Sequence, residues 1–146
     1  MRKAIVAFML IFIMILAACG DQSSANDTAS DNENIIVITE RFFVNQIVEI
    51  ILNADQYFGR AIRYEGILRV VANPHTGEDF FFVIRYTEGC CGVEMVGMEL
   101  LIENGTTISD DAWVEVTGIL EEGSDFPVLR VTSLTEKSER GSDFVS

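Results

Sequence analysis

The sequence predicts a mainly β protein, in the form of a small OB-like five-stranded barrel with one N-terminal helix. Apolar residues recur every three or four positions over residues 42–58, which is the period of a helix that buries one face. After Gly59 they recur at every second position, which is the period of β-strands. Gly66 and Gly118 interrupt two apolar strands and suit the strong coiling of a small barrel. A sandwich of two three-stranded sheets is the alternative.

Each element of this fold has its own signal in the sequence. The β-branched residues 35–38 suit a short strand, and the helix over residues 42–58 ends at Gly59. The segments between the later strands are rich in Asn, Pro, Gly, Asp and Ser, which favour turns. Five principal strands are therefore predicted over residues 60–72, 79–86, 93–103, 112–121 and 127–134.

Residues 1–18 have the features of a lipoprotein signal peptide. Arg2 and Lys3 precede an apolar segment that is too short to cross a bilayer stably. The segment ends in Leu-Ala-Ala-Cys, which is typical of a bacterial lipobox, where the cysteine thiol takes a diacylglyceryl group and a peptidase cuts before it. Cys19 is the predicted lipidation site, and we expect the protein at the cell membrane, lipid-anchored and facing outside the cytoplasm. An ordinary cleaved signal peptide with a chance cysteine is the alternative.

The charge and composition of the remaining chain indicate its organisation. Residues 19–34 carry the lipidated cysteine and contain no large apolar residue, so they are predicted to form a disordered tether. The OB-like domain is expected over residues 35–136, followed by a disordered tail over residues 137–146. Loss of Arg2 and Lys3 with the signal peptide changes the formal net charge from −13 to −15. Such an acidic chain is a poor partner for nucleic acid, whose binding depends on lysine and arginine.

The adjacent cysteines Cys90 and Cys91 lie between Gly89 and Gly92 and allow three interpretations. The first is a vicinal disulfide, which would be strained because adjacent Cα atoms are closer than disulfides normally allow. The second is a site for zinc or another soft metal ion, formed by the two thiolates in a turn. The third is structural, with one cysteine packed in the core and the other idle. Two thiolates are too few for a closed zinc site, and the candidates to complete it are Glu94, His75, Glu88, Met95 and Met98.

Several segments together resemble the C-terminal domain of the YcgQ-like family of uncharacterised bacterial membrane proteins. They are NADQYFGR at 53–60, YEG at 64–66, FVIR at 82–85, the pair Cys90–Cys91, and WVEVTG at 113–118. The resemblance covers approximately residues 35–135. It implies a function at the membrane surface and a multi-spanning permease as partner. In that family an aspartate stands three positions after the cysteine pair, and here Glu94 holds that position. Family members usually carry transmembrane helices ahead of this domain, where this chain is expected to carry a lipid anchor.

The sequence contains no recognisable constellation for catalysis, so we do not expect an enzyme. His75 is the only histidine, and neither a Gly-rich phosphate loop nor a paired-histidine helix occurs. The leading hypothesis is a lipid-anchored extracytoplasmic binding or accessory module that handles a metal ion in support of a membrane transporter. The alternatives are a structural or protein-interaction lipoprotein with inert cysteines and, more weakly, a redox-active thiol pair.

Four arginines are expected either on the polar outside of the strands or in a groove for an anion or oligosaccharide: Arg63, Arg69, Arg85 and Arg130.

Overall fold

The computed structural model describes residues 34–74 and 76–146. This part of the chain is mainly β, with six strands in one mixed sheet and one α-helix. In chain order the elements are β1 (Ile35–Val37), a 3₁₀ turn (Glu40–Phe42), α1 (Phe43–Leu52), a second 3₁₀ turn (Ala54–Gln56), β2 (Ala61–Ala72), β3 (Asp79–Gly89), β4 (Gly92–Leu101), β5 (Trp113–Glu121) and β6 (Val128–Glu136). The predicted signal peptide, Cys19 and residues 19–33 of the tether lie outside the described residues. No helix within the described ranges is long and apolar enough to span a membrane.

The helix is shorter than the sequence predicts, because Asn53 interrupts it. Both the backbone N–H and the side-chain Nδ2 of Asn53 donate to the carbonyl oxygen of Glu49, at 3.0 and 3.2 Å. An asparagine that bonds the preceding turn in this way competes with continuation of the helix. The apolar period does continue through the second 3₁₀ turn to Gly59, whose φ of +78° ends the segment.

The strands pair in the order β1-β2-β3-β4-β6-β5, and β2 also pairs with β5. Pairings β1–β2 and β4–β6 are parallel, and the others are antiparallel. The first half of β2 pairs with β5 and its second half pairs with β3. Gly66 lies at this change of partner, where an added Cβ would come within 2.7 Å of the Ile84 carbonyl oxygen. Its missing side chain thus permits the close approach of β2 and β3.

One main core lies beneath α1 and the inward-facing residues of the strands. Phe43 and Ile47 of α1 are fully buried there, and Phe43 packs edge-on against Tyr64 with ring centres 5.7 Å apart. Tyr64 donates its hydroxyl to the carbonyl oxygen of Val83, and burial raises the pKa of Tyr64. A smaller cluster of Ile67, Ile84 and Trp113 lies beside it.

Residues 137–146 differ from the predicted disordered tail, because they pack on the domain. Phe144 forms an isolated parallel bridge with Tyr86, whose N–H donates to the Asp143 carbonyl oxygen at 2.8 Å. This segment covers β3 beyond Ile84, where pairing with β2 has ended. The sequence does not reveal this contact, because it depends on backbone hydrogen bonds and not on a continuous apolar segment.

Candidate functional site

The two adjacent cysteines occupy the tip of the hairpin between β3 and β4. Gly89 of β3 pairs with Gly92 of β4, so Cys90 and Cys91 form a two-residue connection. Gly92 has a φ of +134°, a conformation that L side chains rarely adopt. The glycines on both sides thus make the tight turn possible and bring the two cysteines to its apex.

Both thiols are free and exposed. Their Sγ atoms lie 3.5 Å apart, although successive side chains in a regular strand would point to opposite faces. This separation is close to the roughly 3.8 Å that two thiolates span on one tetrahedral zinc ion with Zn–S bonds of about 2.3 Å. The structure therefore contradicts the interpretation in which one cysteine packs in the core.

Glu94 lies beside this tip and folds toward it. It pairs with Thr87 across the hairpin, and its side chain passes over Gly89, so an added Cβ at Gly89 would collide with the Glu94 carboxylate. Gly89 thus provides the space that this carboxylate occupies. Among the described residues Glu94 has no ion-pair partner, and its carboxylate lies against Gly89, the residue before the two cysteines.

The structure describes three of the other candidate ligands. Met98 is buried in the core opposite Val83. Met95 and Glu88 are exposed on the hairpin strands. His75 lies outside the described residues. Within residues 34–74 and 76–146, no three His, Cys, Asp or Glu side chains are placed to hold a metal ion together.

Arg85, on the same strand as the cysteine hairpin, is the buried charged residue of the described chain. Its Nε donates to the Glu65 carbonyl oxygen and its Nη1 to a carboxylate oxygen of Glu40, both at 2.9 Å. The guanidinium carbon lies 4.7 Å from the ring centre of Trp113 and 5.1 Å from that of Phe43. These contacts satisfy the buried charge by hydrogen bonds, an ion pair and two aromatic faces. Arg85 therefore connects β3 to β2, the first 3₁₀ turn and the core.

The C-terminal segment completes the surroundings of Arg85. Arg140 hydrogen-bonds the Asp143 carboxylate at 2.8 Å and the Asp111 carbonyl oxygen at 2.8 Å, and it lies over Trp113 at 5.8 Å. The hydrogen bond from Arg140, and its positive charge, lower the pKa of Asp143. Where the segment contacts Tyr86, the Asp143 carboxylate is therefore paired with Arg140.

The remaining arginines do not form an open anion groove. Arg69 contacts Asp110 and Asp111 at 3.5 and 3.7 Å. Arg130 hydrogen-bonds Glu121, which raises the pKa of Arg130. Arg63 lies on β2 opposite Thr117 of β5. With Arg85 also paired, three of the four arginines already have a carboxylate partner.

Sequence reasoning identified the cysteine pair and missed the environment of Arg85. Alternation placed Arg85 among polar surface residues, yet it stands in the apolar segment DFFFVIRY. A strand with apolar residues on both faces can be covered on both faces. The apolar residues around Arg85 were therefore the one signal in the sequence that its side chain is buried. The covering residues, Glu40 and residues 140–145, are distant in sequence and have no pattern that links them to β3.

The comparison with protein families matches nearly the whole chain. Residues 17–145 match the family described as DUF1980 C-terminal domain. The chain belongs to this family. Neither the comparison with curated proteins nor the comparison with solved structures gives a match. Membership is thus established for nearly the whole chain, and it brings no assigned activity.

Proposed function

We propose that this DUF1980 domain is a lipid-anchored binding module outside the cytoplasm, with the Cys90–Cys91 tip as its binding centre. The observation that carries the proposal is the pair of exposed thiols with sulfurs 3.5 Å apart. The scaffold proposed for them is an OB-like barrel formed by β2–β6. In support, β2 pairs with both β3 and β5, and β4–β6 and β6–β5 complete a circuit of paired strands.

The ligand that best suits this tip is a soft metal ion, with zinc as the reference case. The two thiolates would provide soft ligands, and the Glu94 side chain, which lies over Gly89, would move toward them to add a hard one. Zinc bound by Cys90 and Cys91 would keep open coordination positions, whereas structural zinc sites are closed by four protein ligands. An ion held in this way exchanges readily, which suits delivery to a partner and not a stabilising role.

The anchor and the partner complete the proposal. Cys19 would hold the module at the membrane, and the YcgQ-like resemblance indicates a multi-spanning permease as the recipient or donor of the ion. A Cys19→Ser variant tests the anchor: we expect it to lose lipidation and cleavage before residue 19. Unchanged processing and unchanged partition into detergent would contradict the lipobox.

Zinc titration of the reduced full chain tests the binding centre. Calorimetry should show one Zn²⁺ ion bound per chain in the wild type and loss of this binding in a Cys90→Ser/Cys91→Ser variant, which retains Cys19. Binding should weaken as the pH falls, because thiolate ligation releases protons. Glu94→Gln should weaken binding more than the matched variant Glu88→Gln, since the Glu94 carboxylate lies over Gly89. Equal, weak binding by the wild type and the double variant would mean that only the acidic surface attracts the metal.

A redox-active thiol pair is the second candidate, favoured by the same exposure and closeness of the sulfurs. Exposed thiols undergo exchange more readily than buried ones, and a strained vicinal disulfide would be easily reduced. Thiol counting on the native full chain separates the candidates. Reactive thiols that zinc protects support the metal site, whereas thiols that become detectable only after reduction support the redox pair.

A further inference from the structure

A groove of about 600 Å³ lies on the outer face of the sheet, at the opposite end of β3 from the cysteine tip. Phe80 and Phe82 line it from β3, while Phe81 between them packs on the core. Phe126, in the connection between β5 and β6, borders the groove and is 70% exposed. The groove therefore combines aromatic residues of two separate elements, and its volume is in the range of small-molecule sites.

A carboxylate lies in the middle of this aromatic surface. Phe82 of β3 pairs with Glu99 of β4, and Glu99 pairs with Val128 of β6, so the three side chains form one lateral row. Glu99 is half-buried between two apolar neighbours. Asp125 contributes a second carboxylate from the β5–β6 connection. A partly buried carboxylate between apolar groups is stabilised by a cation.

The described residues provide no such cation for these two acids. In the described part of the chain neither Glu99 nor Asp125 has an ion-pair partner. The neighbouring arginines are already engaged: Arg69, opposite Phe82 on β2, contacts Asp110, and Arg130 of β6 contacts Glu121. The groove thus has uncompensated negative charge together with apolar and aromatic walls.

We propose that this groove binds a linear aliphatic diammonium ion. The methylene chain of such a ligand would lie on the phenylalanine rings, which also attract its cationic ends. Glu99 and Asp125 would accept charge-assisted hydrogen bonds from the ammonium groups. A phosphate or carboxylate ligand would be repelled by both acids. The aromatic walls and the two unpaired carboxylates together therefore favour a ligand with an apolar chain and two positively charged ends.

Two probes of equal length test the proposal on the full chain at about 0.15 M salt, where attraction between distant exposed charges is largely screened. Hexane-1,6-diammonium should bind at least about tenfold more tightly than hexane-1,6-diol, since charge-assisted hydrogen bonds are roughly twice as strong as neutral ones. Glu99→Gln should weaken diammonium binding about fivefold to tenfold. The matched variant Glu136→Gln, which removes an exposed acid at the far end of β6, should change it less than twofold. Phe126→Leu keeps apolar bulk and removes the ring, so it should also weaken diammonium binding.

Trp113 fluorescence reports whether each variant remains folded. Equal binding of the diol and the diammonium would overturn the proposal, because the groove would then be only an apolar surface. An equal effect of Glu99→Gln and Glu136→Gln would also overturn it, since binding would reflect general attraction to an acidic chain. A Cys90→Ser/Cys91→Ser variant should bind the diammonium as the wild type does, which separates this groove from the thiol site.

Discussion

Strand β3 places a buried arginine and, just beyond its end, an exposed pair of thiols. The Arg85 side chain is only 5% exposed and makes hydrogen bonds to β2 and to the first 3₁₀ turn. Cys90 and Cys91, a few residues later, are exposed and make no contact with the core. A buried charged side chain with several partners is therefore followed, a few residues later, by two exposed thiols that face each other.

This difference indicates what each region contributes. Burial of a guanidinium costs desolvation free energy, which the contacts of Arg85 must offset, so its side chain is committed to the fold. Exposed thiols require no such compensation and remain able to bind a ligand. The chemistry of Arg85 alone suggests an anion site, and its surroundings exclude this role. The chemistry of the cysteines alone would allow them to pack in the core, and their exposure excludes packing in the core.

The largest effect on stability is expected at Arg85. Arg85→Ala removes the hydrogen bonds to Glu65 and Glu40 and leaves a cavity beside Trp113, so it should lower the free energy of unfolding by about 3 kcal/mol. Arg41→Ala is the control, because Arg41 also lies over a phenylalanine, at 5.3 Å, but is exposed; it should cost less than about 0.5 kcal/mol. Urea unfolding followed by Trp113 fluorescence measures both. Equal values for the two variants would mean that the Arg85 contacts add nothing to stability.

Two glycine variants extend the comparison to the backbone. Gly66→Ala places a Cβ against the Ile84 carbonyl oxygen and the Val83 side chain, and neither can move without distorting the sheet. We expect a loss of about 2 kcal/mol. The three atoms nearest to a Cβ added at Gly89 all belong to the flexible Glu94 side chain, so Gly89→Ala should lower the free energy of unfolding by less than about 1 kcal/mol and displace the carboxylate from Gly89. Zinc titration of Gly89→Ala then reports on the position of Glu94, and a stability loss equal to that of Gly66→Ala would show that the tip is packed as tightly as the core.

The C-terminal segment should be held less firmly on β3 at low pH. Because pairing with Arg140 lowers the pKa of Asp143 in the folded protein, this pair stabilises the docked segment at pH values above the ordinary aspartate pKa of 3.8. The stabilisation is lost as the pH falls through the lowered pKa of the folded state. Protection of the Val145 and Tyr86 amides from hydrogen exchange should therefore decrease below that pH. Arg140→Gln should reduce this protection already at neutral pH, whereas Glu139→Gln should not, and unchanged protection in Arg140→Gln would contradict the contribution of the ion pair.

The sequence allowed prediction of the elements whose period is strong and local. The alternation after Gly59 located all five long strands within a few residues, and the glycines around Cys90 and Cys91 allowed the turn that only the metal-site interpretation required. Contacts between distant segments were not predictable in this way. The position of Arg85 depends on its hydrogen bonds to Glu65 and Glu40, and alternation alone describes only which face a residue occupies. The end of α1 was missed because the apolar period continues past Asn53, whose side chain breaks the helix by a hydrogen bond that the period does not reflect.

The smallest effect on stability is expected where the proposed chemistry resides. Cys90→Ser/Cys91→Ser exchanges exposed thiols for hydroxyls of similar size without altering a core contact or the flanking glycines, so the free energy of unfolding should change by less than about 0.5 kcal/mol. The same urea experiment with reductant present measures it. If the loss approaches that of Arg85→Ala, the thiols are structural and the inert-cysteine alternative gains support. If stability is unchanged while zinc binding is lost, the arginine and the cysteine pair have separate functions along one strand: Arg85 fixes the fold, and the tip is left free to bind.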